Sequence, residues 1–293
     1  MFFRTDMAVE RRDLYKNANK IEDEINGIEC EEEKLDNINI TRVKIKDEEG
    51  EKALNKKRGN YITIDVKKIN NISMEDEQKI IDSITKELKL IIDMHVKKDE
   101  EVLVVGLGNL YSTPDSLGSK VVQNIEITRH IKIYLPNYID KSTRSISAVT
   151  PGVLGTTGIE TLEIVKGIVD NVKPKLIIAI DSLCSKNIDR INKSIQISDT
   201  GIVPGGGVGN AREELSEETL GIPVIALGIP TVLDAATIVI NTLNLCDIVI
   251  SEDEIIEKMN LNNFNFIVTP KEIDSLIENM TSIVSESINI SLG

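Results

Sequence analysis

Three stretches of this chain are apolar at every position for the length of a strand: Val102–Val105, Leu176–Ile180 and Val224–Leu227. A strand with no polar face has nothing to present to water, so it must be covered on both sides, as strands are in parallel sheets. Between and after these runs the apolar spacing becomes helical. Ile159, Leu162, Val165, Ile168, Val169 and Val172 share one helix face from about Gly158 to Val172, and Pro174 stops it. Near the C-terminus Phe264–Val268 reads as a last strand. It leads into Thr269-Pro270-Lys271-Glu272, a helix start with Pro in the first turn and a face of Ile273, Leu276, Ile277, Met280, Ile283 and Val284. Strands alternating with helices predict an α/β fold with a mostly parallel sheet flanked by helices.

The first hundred residues are the most polar part. Residues 10–37 read as a surface helix or two, and a second alternating stretch lies near Ile131–Leu135. Ile40, Val43 and Ile45, then Ile62, Ile64 and Val66, show rough period-two spacing. They predict an antiparallel pair joined by the insert Asp47–Asn60. Ser73-Met74-Glu75-Asp76 resembles a capping box with Asp in the acidic place. It opens a helix with Ile81, Ile84, Leu88, Ile91 and His95 on one face. The reading is one α/β domain with a polar N-terminal α+β elaboration, free of repeats and low-complexity linkers.

The side chains available narrow the function. Of 293 residues, 34 are Lys or Arg and 48 are Asp or Glu, a net charge of −14, so a nucleic-acid surface is not expected. Aromatics are 3% with no Trp, which leaves the core to Ile, Val and Leu. Cys30, Cys184 and Cys246 have neither disulfide nor metal-site spacing, which suits a reducing compartment. The N-terminus lacks the apolar run of a secretory signal, and no apolar run reaches the ~20 residues of a membrane span. A cytoplasmic protein with no membrane partner is expected.

In α/β sheets, sites gather on loops after the strands. Three such segments stand out: Gly106–Gly118, Asp181-Ser182 at the end of the second apolar run, and the glycine-rich Gly201–Asn210. Gly106-Leu107-Gly108 begins like a dinucleotide fingerprint, but Tyr111 stands where the third glycine belongs. The loop at 205–210 lacks the Lys-Ser/Thr of a P-loop. There is no Gly-x-Ser-x-Gly and no His-Glu-x-x-His. His95 lies on an apolar helix face, His130 at the start of the stretch 131–135, and Cys184 has no histidine evidently linked to it. Acid chemistry remains. Asp115 and Asp181 can project into one crevice, where two close carboxyls share a proton and divide the roles of base and acid. The plain structural reading, a turn at Asp115 and a helix cap at Asp181, stands equally open on spacing alone.

Longer blocks carry a resemblance. Arg4-Thr5-Asp6-Met7-Ala8-Val9-Glu10, Val105–Asn109 with Thr113–Gly118, and Val122-x-Asn124-x-x-x-Thr128-Arg129-His130 are three of them. Pro151–Thr161, Ile178–Leu183, Ile195–Ile202, Pro204–Asn210, Gly228–Val232 and Val268–Asp274 are the others. Together, and in this order, they resemble the germination (spore) protease family over nearly the whole chain. The resemblance implies a cytoplasmic endopeptidase of the spore core. It would degrade small acid-soluble spore proteins at germination, with no cofactor, as a homotetramer made from a self-processing zymogen. The family's two carboxylates match Asp115 and Asp181. The leader boundary falls between Asp6 and Met7, after an acidic residue, as the family cleaves its substrates after Glu. The domains are then a leader, residues 1–6, and one peptidase domain, residues 7–293. The leader is shorter than in relatives, and so is the segment between the helix near residues 233–245 and Phe264.

The fold also looks like that of hydrogenase-maturation endopeptidases, where two such acids and a histidine bind nickel. Residues 196–210 hold no histidine here. The alternative is therefore a metal-dependent endopeptidase with Asp115 and Asp181 as ligands. A non-enzymatic alternative is a nucleotide or small-molecule binding module built on the same glycine loops.

Overall fold

In the computed structural model, which describes residues 5–69, 72–248, 250–264 and 266–293, the three apolar runs become neighbouring strands of one sheet. In chain order the strands are β1 (Ile28–Lys34), β2 (Ile38–Ile45), β3 (Gly59–Val66), β4 (Val102–Gly106), β5 (Ile146–Val149), β6 (Leu176–Ser185), β7 (Ser194–Ser198), β8 (Val224–Asp234) and β9 (Ile267–Val268). The helices are α1 (Ala8–Asn19), α2 (Glu48–Leu54), α3 (Met74–His95), α4 (Leu117–Val122), α5 (Arg129–Tyr134), α6 (Leu154–Thr157), α7 (Thr161–Val172), α8 (Glu217–Leu220), α9 (Ala235–Leu245), α10 (Glu252–Leu261) and α11 (Ile273–Leu292). The spatial order of strands is β1-β2-β3-β7-β8-β6-β4-β5, with β9 paired to β8.

The sheet is mixed, which corrects the expectation of a mostly parallel one. The pairs β4–β5, β4–β6 and β6–β8 are parallel. The pairs β1–β2, β2–β3, β3–β7, β7–β8 and β8–β9 are antiparallel. The apolar runs do form the parallel centre. The antiparallel half arises because β7 joins β8 to the N-terminal strands, so the polar elaboration extends the same sheet. The expected antiparallel pair at residues 38–45 and 59–66 is present, and its insert folds as α2 with Asp47 capping it through N–H bonds from Glu49 and Gly50.

Both faces of the central strands are covered, as their composition requires. On one face Val102, Val104, Leu176, Ile178, Ile180, Ile225 and Leu227 pack under α3, α4 and α11. On the other, Leu103, Val105, Ile177, Ala179 and Val224 meet Val165 and Val169 of α7. Ser73 accepts the Asp76 N–H at 3.1 Å and starts α3, whose Ile81, Ile84, Leu88 and Ile91 are buried. His95 is only half-buried at its end. No helix is long and apolar enough to cross a membrane, among the described residues.

Other local readings are corrected. Residues 10–37 form one helix and then strand β1. The stretch 131–135 belongs to helix α5, closed by Lys132 N–H to Thr128 O at 3.0 Å. A short apolar run fits either period, and tertiary contacts choose. Of the expected last strand, Asn265 lies outside the described residues and Ile267–Val268 are paired as β9, and α11 begins at Ile273, after Pro270.

Candidate active site

The site is built where β4 leaves the sheet. A Cβ on Gly106 would lie 2.2 Å from Gly118 O, and one on Gly118 would lie 2.4 Å from Ile180 O. Only glycines allow the end of β4, the start of α4 and β6 to meet at backbone distance. Leu107 N–H then donates to Ile180 O at 2.8 Å. At Gly108 the chain turns with φ +92° and folds over the Thr113–Asp115 turn, so that Asn109 N–H donates to Asp115 Oδ2 at 2.9 Å. Thr231 fixes the same turn from β8. It is the extra residue of a bulge, unpaired between Leu183↔Pro230 and Cys184↔Val232, and its hydroxyl donates to Pro114 O at 2.7 Å. Burial pushes the Asp115 carboxyl up to about 6, against the lowering effect of the Asn109 N–H.

Asp181 is not at a strand end, as the sequence suggested, but inside β6, which runs on to Ser185. It is 5% exposed, and its Oδ1 accepts the Ser182 N–H at 2.8 Å. Burial first, and then the Asp115 charge, hold its carboxyl well above the usual carboxylate range. Asp115 and Asp181 line one cavity of about 600 Å³, walled also by Gly108, Gly205, Thr231 and Thr269. The one other charged residue in its lining is Arg212, whose guanidinium reaches Glu160 at 3.9 Å. Neither histidine nor Cys184 lines this cavity. The Cys184 thiol is pushed up to about 12, chiefly by burial, which leaves it protonated and unreactive at neutral pH. Among the described residues, no three His, Cys, Asp or Glu side chains are grouped to hold a metal ion.

The comparisons with known proteins agree with one another. A family model described as germination protease matches residues 5–252. The chain is 47% identical to the germination protease of Caldanaerobacter subterraneus subsp. tengcongensis, over 99% of this chain and 94% of that protein. It is 44% identical to that of Clostridium acetobutylicum, over 99% and 94%. It is 36% identical to that of Bacillus cereus, over 99% and 93%. The chain belongs to the germination protease family. A germination protease is a peptide-bond hydrolase.

Residues 5–10 are docked rather than loose. Arg4 lies outside the described residues, as do residues 1–3 of the expected leader. Asp6 N–H donates to Cys184 O at 3.0 Å, and Asp6 Oδ2 accepts the Cys184 N–H at 2.9 Å. Gln196 clamps both sides of the expected boundary: its Nε2 donates to Asp6 O at 3.2 Å, and its Oε1 accepts Ala8 N–H at 2.7 Å. Met7 is fully buried. Asp6 is half-buried and lines a different cavity, and neither residue lines the Asp115/Asp181 cavity. The glycine-rich loop serves this packing, because a Cβ on Gly207 would lie 1.9 Å from Asp6 Oδ2.

Sequence reasoning missed Thr231, Arg212 and Glu10. Glu10 is buried and accepts from Ser185 Oγ at 2.5 Å, Lys186 N–H at 2.7 Å and Asn187 N–H at 3.2 Å. Its only signal was an acidic residue directly after the apolar Met7-Ala8-Val9. The Thr231 bulge follows Pro230 inside a strand run, where a proline marks an irregularity.

Proposed function

We propose that this chain is an endopeptidase that initiates degradation of small acid-soluble spore proteins, hydrolysing peptide bonds through Asp115 and Asp181. The observation that carries the reading is the convergence of two carboxyls, from unconnected segments, on one cavity in which burial raises both. Such a pair holds one proton between its members. Asp115, the less buried, ionises first, and Asp181 keeps the proton. The ionised carboxylate takes a proton from water as the water oxygen bonds to the scissile carbonyl carbon. The protonated carboxyl hydrogen-bonds the carbonyl oxygen. Gly108 and Gly205 line the cavity, and their N–H groups are the donors suited to the developing oxyanion. Collapse of the tetrahedral intermediate breaks the C–N bond, and the leaving nitrogen takes up a proton from the pair. This is an atypical aspartic mechanism that needs no cofactor.

The remaining features of the reading are proposals of the same kind. The leader is residues 1–6, removed by autocatalytic cleavage between Asp6 and Met7 of a zymogen. Because Asp6 is tied to β6 and Gln196 and lies outside the Asp115/Asp181 cavity, segment 5–10 must undock before cleavage. The protein works in the cytoplasm of the spore core as a homotetramer, acting on its substrates once they have left DNA. The net charge of −14 supports that order. The likeness to hydrogenase-maturation endopeptidases rests on Asp115 after Gly-Leu-Gly-Asn and Asp181 on β6.

The decisive experiment is digestion of a purified small acid-soluble spore protein. Asp115→Asn and Asp181→Asn each abolish cleavage with an unchanged circular dichroism spectrum. Digestion at the parent rate by either variant overturns the pair. Chelator-treated protein keeps full activity if the acid mechanism holds and loses it if the carboxylates act as metal ligands.

A further inference from the structure

The edge of β6 is vacated beside Asp181. β4 pairs with β6 only as far as Gly106↔Ile180 and then turns away, whereas β8 stays paired on the other side as far as Ser185↔Leu233. In a parallel strand successive residues direct their backbone N–H and C=O groups to opposite sides. Ile177 N–H donates to Pro223 O, so odd-numbered residues face β8, and Ile180 O accepts Leu107 N–H on the β4 side. Ser182 and Cys184 therefore face the side that β4 has left.

The two positions are treated differently. At Cys184 the vacancy is filled by the chain's own N-terminal segment, with Asp6 N–H on its carbonyl and Asp6 Oδ2 on its N–H. At Ser182, about 7 Å back along the strand, the N–H is covered by Asp181 Oδ1, and among the described residues no strand pairs with this edge. Among those residues too the Ser182 hydroxyl is buried without a partner, and Ser182 lines the cavity that holds both carboxyls. Buried polar side-chain atoms without partners are uncommon in folded chains, and this one falls one residue from Asp181.

We propose that this edge is the main-chain docking site for substrate. An extended peptide adds beside β6, gives one backbone N–H to the Ser182 carbonyl, and so lays its next peptide bond across Asp115 and Asp181. Strand addition to a free edge is a general way to bind a peptide whatever its side chains, and the one main-chain bond from Asp6 N–H to Cys184 O shows that this edge accepts a backbone donor. Peptide hydrolysis by Asp115 and Asp181 is the reading on which the proposal rests.

The test separates docking from catalysis. A fluorescein-labelled peptide copying residues 3–12 of this chain carries the proposed cleavage bond. Its amides are replaced one at a time by esters, which removes a single N–H without adding bulk. Binding of each peptide to the full-length Asp115→Asn protein is followed by fluorescence anisotropy. One ester, within two residues of the Asp6–Met7 bond, weakens binding roughly tenfold while its neighbours change it by less than about twofold. A flat profile overturns the proposal, as does failure of the all-amide peptide to bind. Cleavage of the same peptide is measured in parallel. If Asp115→Asn cleaves at the parent rate while the ester profile holds, the catalytic reading fails and the docking edge stands. If the variant is inactive and the profile is flat, the reverse is true.

Discussion

At the scale of single residues, the most heavily used carboxylate outside the cavity is that of Glu10. It ties α1 to the end of β6 through Ser185, the N–H groups of Lys186 and Asn187, and Arg190 at 3.5 Å. Glu10→Ala removes the acceptor these groups share, and leaves Ser185 Oγ and Asn187 N–H with only the 3.0 Å contacts between their own two residues. The expected loss is about 2–4 kcal/mol of unfolding free energy, read by urea denaturation. In the proposed mechanism, activity follows the titration of Asp115. Its carboxyl is raised to about 6, and that mechanism requires it ionised while Asp181 is still protonated. The kcat/KM profile should therefore fall on acidification through about pH 6, and fall again at higher pH as Asp181 ionises. An acid limb near pH 4, where an ordinary exposed carboxylate titrates, would contradict the burial of Asp115.

At the scale of elements, close backbone approach decides what can change. Gly118→Ala places a Cβ 2.4 Å from Ile180 O and 2.5 Å from Leu107 O, both backbone atoms that cannot step aside singly. Loss of about 3 kcal/mol or more is expected, with loss of cleavage, because α4 and the Asp115 turn move together. Gly167 gives the opposite sign. It lies on the exposed side of α7, with nothing within 4 Å of its missing Cβ, so Gly167→Ala should stabilise by about 0.5–1 kcal/mol in the same denaturation assay. These elements also show what the sequence made legible. The α3 cap at Ser73, the faces of α3, α7 and α11, and the double burial of β4, β6 and β8 follow from local spacing. The helix at residues 129–134 and the four-residue strand β5 did not, because short segments carry too few positions to separate the two periods.

At the scale of the whole molecule, the buried pair makes stability depend on pH in an unusual direction. A carboxyl raised from 3.8 to about 6 binds a proton in the folded state over a range where the unfolded state does not. Its contribution to stability therefore falls as pH rises from about 4 to 6, and Asp181 extends the same trend to higher pH. At pH 7 the cost of ionising Asp115 is on the order of 3 kcal/mol. Asp115→Asn should unfold at higher urea concentration than the parent at pH 7, and this advantage should shrink toward pH 4. Paired unfolding curves across that range measure it. Equal midpoints at pH 7 would mean that Asp115 is not desolvated.

The sequence by itself determined which segments must be covered on both faces and which helix faces turn inward, and it singled out Asp115 and Asp181 as the candidate carboxylates. The first two are local facts, carried by apolar spacing, and the third rests on the family resemblance. Only the tertiary structure decided that the sheet is mixed, that β6 continues beyond Asp181 while β4 departs, and that Asp6 and Glu10 dock against its end. An all-apolar strand is buried equally well with parallel or antiparallel neighbours, so its composition cannot choose them. That choice, and with it the free edge beside the two carboxyls, is made by contacts between residues distant in sequence, such as Gly106 with Ile180 and Tyr61 with Ser198.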